Sequence, residues 1–165
     1  LVLGGSQGAE MVNKLVMEAF LLEDQRLSAK VHLIHQTGMK DTAMILEAYA
    51  RAGIKAEVQP FFREMDKVYA KTDLLISRAG ATTLAEIAVL GKPAILIPYP
   101  YAADDHQTKN GEYYVGGGGA RLFQEKELSP AVLAQCIDDL ISRPGQLAEM
   151  GCAMKKFSFP GAAAK

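Results

Sequence analysis

Short apolar runs alternate with longer amphipathic stretches along almost the whole of this chain, and that alternation most narrows what it can fold into. Leu1–Leu3, Val31–His35, Ala56–Val58, Leu74–Ser77, Ala94–Pro98 and Ala120–Phe123 read as strands. Between and after them, Ala9–Leu22, Asp41–Ala52, Glu64–Lys71, Thr82–Leu90, His106–Tyr114, Pro130–Ser142 and Gly145–Lys156 read as helices. Leu84, Ile87 and Ala88 give the i, i+3, i+4 spacing of a helix face packed on a sheet, and Gly91-Lys92-Pro93 supplies the stop. Strands separated by helices predict parallel neighbours, so the expected fold is α/β: a Rossmann-like parallel sheet of about six strands flanked by helices. Gly116–Gly119 is expected to be a loop, because four glycines cost too much backbone entropy inside a helix.

A length of 165 residues suits one domain, and 49% apolar with 22% charged residues is ordinary for a folded chain in water. The net charge of −1 argues against a nucleic-acid binder, which needs a basic excess, yet leaves room for a local pocket around one diphosphate. Cys136 and Cys152 are too few for a disulfide framework or a metal cluster, and are expected as reduced thiols. No apolar run approaches the 18–20 residues or so that a membrane span needs. Leu1-Val2-Leu3-Gly4-Gly5 reads as a strand end entering a turn, and Pro160–Lys165 as a helix just beginning. The expectation is a piece of a longer protein: one domain over 1–157, then the start of a further helix over 158–165.

Four segments could carry chemistry. Gly4-Gly5-Ser6-Gln7-Gly8-Ala9 joins a strand to a helix, where glycines let the backbone approach an anion and the helix N-terminus offers unpaired N–H groups. The spacing is neither that of G-x-G-x-x-G nor of a P-loop, so a plain tight turn is the alternative. Ser77-Arg78-Ala79-Gly80-Ala81-Thr82 repeats the arrangement. Glu86, one turn inside the next helix, is placed either to accept both hydroxyls of a ribose or to serve as a first-turn acid facing the dipole. In Pro98–Asn110, Asp105 can cap a helix whose first turns bring His106, Gln107 and Asn110 toward one hydroxylated ligand. Gln59-Pro60-Phe61-Phe62 offers an aromatic to cover a planar base and a backbone to read its edge, although an isolated Phe-Phe is more often core. His35 stands at a strand's C-terminal end, on the ligand-facing edge, and residues three apart on a strand face opposite sides, so no metal pair with His32 is expected.

Ligands of open α/β sheets sit beyond the strand C-terminal ends, where all four segments fall. In this order, together with His35-Gln36-Thr37-Gly38, Thr83-Leu84-Ala85-Glu86 and Gly91–Pro98 running into Asp104-Asp105-His106-Gln107, they resemble the donor-binding, C-terminal domain of the MurG family of GT-B glycosyltransferases. The resemblance covers nearly the whole chain. It implies UDP-GlcNAc as donor, with Gly5, Ser6, Gln7, Gly80, Ala81 and Thr82 at the diphosphate, Arg78 within the same turn, and Glu86 at the ribose. It also implies Phe61 over the uracil, the Phe62 backbone at its edge, and His106, Gln107 and Asn110 at GlcNAc. Neither metal nor cofactor is implied, because amides and helix N-termini stabilise the departing UDP.

The reaction implied is inverting transfer to undecaprenyl-pyrophosphoryl-MurNAc-pentapeptide (lipid I) in peptidoglycan synthesis, at the cytoplasmic face of the plasma membrane. An N-terminal half outside this sequence would hold the acceptor, the membrane contact and the base. Gly116–Gly119 departs from the family pattern and is expected to loosen the strand after it. Two rival readings are a non-catalytic donor-binding subunit and another GT-B transferase or UDP-GlcNAc epimerase. The epimerase needs added carboxylates near the anomeric carbon, and none stand out.

Overall fold

The computed structural model describes residues 1–4, 9–22 and 26–158. Six strands form one parallel sheet: β1 (Val2–Leu3), β2 (Leu33–Gln36), β3 (Ala56–Gln59), β4 (Leu75–Ser77), β5 (Ala94–Leu96) and β6 (Ala120–Leu122), in the order β3-β2-β1-β4-β5-β6. Eight α-helices accompany them among the described residues: α1 (Glu10–Leu22), α2 (Arg26–Lys30), α3 (Thr42–Arg51), α4 (Met65–Ala70), α5 (Ala81–Leu90), α6 (His106–Gly116), α7 (Pro130–Ser142) and α8 (Gln146–Lys155). All seven expected helices form. The short α2 and the 3₁₀ turns at Ala103–Asp105 and Glu125–Glu127 were not anticipated, because a single turn is too short for a hydrophobic period to register.

Strand residues alternate between two apolar clusters, as a period of two requires. Val2, Ile76, Ile95 and Ile97 enter the cluster that takes the buried faces of α1, α3 and α7. Leu3, Leu75, Ala94 and Leu96 enter the one that takes α5 and Met154 of α8. Both faces of β1, β4 and β5 are therefore covered, which is why these central strands are mostly apolar, whereas the edge strands β3 and β6 expose Glu57, Gln59 and Arg121.

The helix ends follow from local chemistry. Ser129 caps α7, its hydroxyl accepting from the Val132 N–H at 3.2 Å, with Pro130 in the first turn. Gly91 closes α5 in the left-handed region, at φ 63°, as the Gly-Lys-Pro stop predicts. Two expectations need correction. Gly116 is the last residue of α6 rather than loop, since one glycine at a helix end loses little. The strand after the glycine run is not loosened either: Ala120, Arg121 and Leu122 pair in register with Ala94, Ile95 and Leu96. The turn is closed by bonds from the Gly118 and Gly119 N–H groups to the Val115 and Tyr114 carbonyls, and Phe157 packs on Tyr113 and Tyr114 beside it.

α8 reaches α5 because it carries glycine at the crossing. A Cβ on Gly151 would lie 2.6 Å from the Gly91 carbonyl oxygen, a backbone atom that cannot rotate away. Gly151→Val is expected to push the helices apart and lower stability by about 1–3 kcal/mol, the usual range for overpacking. The check is the urea midpoint, which should fall with the slope unchanged.

Candidate functional site

The chain leaves β1 toward β2 and β3 on one side and later crosses to β4 on the other, so the two sets of connections diverge between β1 and β4. A crevice opens at such a switch point, beyond the carboxyl ends of the strands. A cavity of about 290 Å³ lies there, with Leu3, Gln36, Tyr69, Ser77, Gly80, Thr83 and Glu86 among its walls. A neighbouring hollow of about 330 Å³ includes Phe61 and Phe62. A larger opening of about 650 Å³ sits at the opposite edge, between strand starts such as Leu33 and Leu74, and none of the expected site residues line it.

Gly80 is the N-cap of α5 and has open space where a side chain would be. The N–H groups of Ala81, Thr82 and Thr83 have no carbonyl within their own helix, so that end of α5 presents donors and a positive dipole to the cavity mouth. Glu86 lies in the second turn, and the first turn of α5 contains no acid, which removes the first-turn reading of this residue. Its carboxylate oxygen Oε2 accepts a hydrogen bond from the Tyr69 hydroxyl at 3.0 Å.

Arg78 also touches the cavity, but its guanidinium turns inward. It donates to the carbonyls of Ile97 and Pro98 at 3.2 and 3.0 Å, forms a 2.5 Å ion pair with Glu125 and lies over the Tyr99 ring. The pair is close in distance without the alignment of a hydrogen bond, and both side chains are mostly buried. Arg78 thus ties the end of β4 to the segment after β5 and to the 3₁₀ turn at Glu125.

Phe61 is 41% exposed, which overturns the core reading for that ring. Phe62 is half-buried, and its N–H, expected to read a base, donates instead to Gln36 Oε1 at 3.1 Å. Beyond β5, Asp104 and Asp105 both take left-handed backbone angles, φ 51° and 50°, which cost a non-glycine residue of order 1 kcal/mol or more each. Asp105 holds the N-cap position of α6, but its side chain makes no capping bond. His106 Nδ1 lies 2.8 Å from the Ala103 carbonyl, which can only accept, so Nδ1 is the donor in this contact. Gln107 Oε1 accepts from the Tyr99 N–H at 3.0 Å, and Asn110 is half-buried one turn on. His106, Gln107 and Asn110 thus share the first turns of α6, as their spacing predicts. Gly5, Ser6 and Gln7 lie outside the described residues.

His35 does not face the ligand edge. It is fully buried, whereas His32 is exposed beside Glu57. Both Nδ2 protons of Asn13 are used, on the Thr37 carbonyl and on Asp41, each at 2.8 Å. Asn13 Oδ1 must then face His35 Nε2, at 3.0 Å, which makes Nε2 the protonated nitrogen. Nδ1 in turn accepts from the Tyr49 hydroxyl at 3.0 Å. Burial holds the imidazole neutral, with its pKa pulled down to about 3. This network abuts Gly4, where a Cβ would stand 2.5 Å from Asn13 Oδ1 and 2.8 Å from the Gln36 carbonyl. The sequence reading missed Asn13, Tyr49, Tyr69 and Gln36. One signal was available: Asn13 is a lone amide among the buried apolar positions of α1.

Six parallel strands in this order, with a helix N-terminus and a carboxylate on one crevice, define a Rossmann-like domain. The chain belongs to the glycosyltransferase family 28 C-terminal domain family, whose model matches residues 1–165. It is 51% identical over its full length to a protein of Desulfotalea psychrophila named UDP-N-acetylglucosamine--N-acetylmuramyl-(pentapeptide) pyrophosphoryl-undecaprenol N-acetylglucosamine transferase. A relative of the same name in Syntrophotalea carbinolica is 43% identical over 164 residues, 99% of this chain. The chain spans 45% and 46% of the lengths of these two proteins. Among solved structures it is similar to MurG of Acinetobacter baumannii, with a TM-score of 0.87 at 32% identity over 98% of this chain and 46% of that one. The calicheamicin glycosyltransferase CalG4 shares the fold, with a TM-score of 0.62 at 15% identity over 99% of this chain and 39% of that one.

Proposed function

We propose that residues 1–157 are the UDP-GlcNAc-binding domain of an inverting transferase that adds GlcNAc to lipid I, giving lipid II in peptidoglycan synthesis. Gly5, Ser6 and Gln7 hold the diphosphate together with Gly80, Ala81 and Thr82, and Arg78 keeps the second turn in place. Glu86 accepts from the ribose hydroxyls. Phe61 covers the uracil, and the Phe62 backbone reads its edge once Gln36 releases the N–H. His106, Gln107 and Asn110 contact GlcNAc. Amides and helix N-termini stabilise the leaving UDP electrostatically. The acceptor, the base and the membrane contact belong to a second half of the protein, which works at the cytoplasmic face of the plasma membrane. Among the described residues, no helix is long and apolar enough to cross a membrane.

The observation that carries this reading is the common cavity. Gly80, Thr83 and Glu86 share its walls with Gln36, and Gln36 bonds the Phe62 amide. Groups suited to phosphate and ribose thus line one cavity, and the backbone suited to a base is one hydrogen bond away from its wall. The names and 43–51% identities of the two relatives above support the substrate.

Calorimetric titration tests it. UDP is expected to bind at least tenfold more tightly than UMP, because the second phosphate adds charge-assisted hydrogen bonds of about 1.5–3 kcal/mol each. Equal affinities would remove the diphosphate from both turns.

A further inference from the structure

We propose that Tyr69 is a positioning residue for the donor's ribose: its hydroxyl fixes the Glu86 carboxylate so that one oxygen edge faces the vicinal diol. The proposal rests on the reading of Glu86 given above and adds a residue that reading does not contain.

Glu86 is exposed on α5 and has three side-chain torsions, so alone it would sample many orientations. Tyr69 is the opposite case. It sits on α4 with its ring buried in the second apolar cluster, and its hydroxyl reaches the cavity wall. An ionised carboxylate can only accept, so the phenol is the donor in the 3.0 Å contact with Glu86 Oε2. Burial and the Glu86 charge raise the phenol's pKa, so it keeps its proton throughout the range in which the domain works. One lone pair of Oε2 is used by Tyr69, which leaves Oε1 and the remaining Oε2 lone pair for a ligand. A diol needs both of its hydroxyls met in the carboxylate plane, and a rigid anchor behind that plane lowers the ordering cost of binding.

The arrangement separates positioning from packing. A residue that only filled the core would affect every ligand of the cavity alike. A residue that orients Glu86 affects ligands with an intact diol and spares those without one.

The experiment compares UDP with 2′-deoxy-UDP on the 165-residue chain and on Tyr69→Phe, which keeps the ring and removes the hydroxyl. The original chain should prefer UDP. In Tyr69→Phe the UDP affinity should fall three- to tenfold while 2′-deoxy-UDP changes by less than twofold, so the preference shrinks. In a Glu86→Ala background, Tyr69→Phe should have no further effect on UDP. Thermal melting establishes that each variant is folded. If Tyr69→Phe is not, Glu86→Ala alone must abolish the preference for the diol, and retention of it overturns the proposal. Equal losses for both nucleotides, or no loss for either, overturn it while leaving the nucleotide site intact. Failure of the original chain to bind UDP overturns the underlying reading of the site and this proposal with it.

Discussion

A mixture of this chain, UDP-GlcNAc and a lipid I analogue is expected to show donor binding by calorimetry and no disaccharide product by chromatography. Among the described residues, the groups assigned to the donor lie at the carboxyl edge of one sheet, and the chain covers less than half of each relative described. Transfer needs the acceptor hydroxyl held against the anomeric carbon. Orientation of that kind is worth about 7–11 kcal/mol, and a positioned base contributes about 10²–10⁴-fold more. Without a second α/β half both contributions are lost, whereas the donor crevice remains. Supplying that half should restore turnover. Turnover by the chain alone would mean that a base lies within it, and His106 would be the first residue to replace, since His35 is sealed in the core.

His35 is expected to dominate the response of the fold to acid. In the folded chain it stays neutral down to about pH 3, whereas an unfolded histidine takes up a proton near its ordinary 6.5. Between those values the unfolded state holds the extra proton, so stability falls as pH drops below 6.5 and is level with respect to this group above it. The slope is about 1.4 kcal/mol per pH unit. His35→Leu leaves Asn13 Oδ1 and the Tyr49 hydroxyl without their partner and should cost about 2–5 kcal/mol at pH 7. In exchange, its urea midpoint should change less than that of the original chain between pH 6.5 and 4.5. Parallel curves for the two proteins would mean that the imidazole is not held neutral.

The sheet was legible because its central strands β1, β4 and β5 send alternate residues into two separate apolar clusters, and such strands read as apolar runs. The helices were legible from their period and their stops: Ser129-Pro130 at one start, Gly91-Lys92-Pro93 at one end. The hydrogen bonds that connect the loops were not legible. Nothing near Arg78 in sequence announces Glu125, which lies 47 positions away and meets it only when β4, β5 and β6 stand side by side. His35 was misplaced for a related reason. A strand's C-terminal end points toward the ligand edge, but a side chain one residue before that end points into a face of the sheet, where Tyr49 and Asn13 were waiting. Gln36 shows a third limit, since an amide that satisfies a backbone donor 26 positions away leaves no trace in the spacing of residues.

The strand order has a consequence for how such a domain diversifies. The opening between β1 and β4 is made by the path of the backbone, so it exists whichever side chains surround it. Inheritance of the crevice and inheritance of its contents are therefore separable: drift can rewrite the loops while the frame keeps offering a vacancy. A chain 15% identical to this one can retain the frame, as CalG4 does. Grafting the loops that follow β3 and β5 from one such protein onto another should therefore be a shorter route to a new donor preference than substitution within the core.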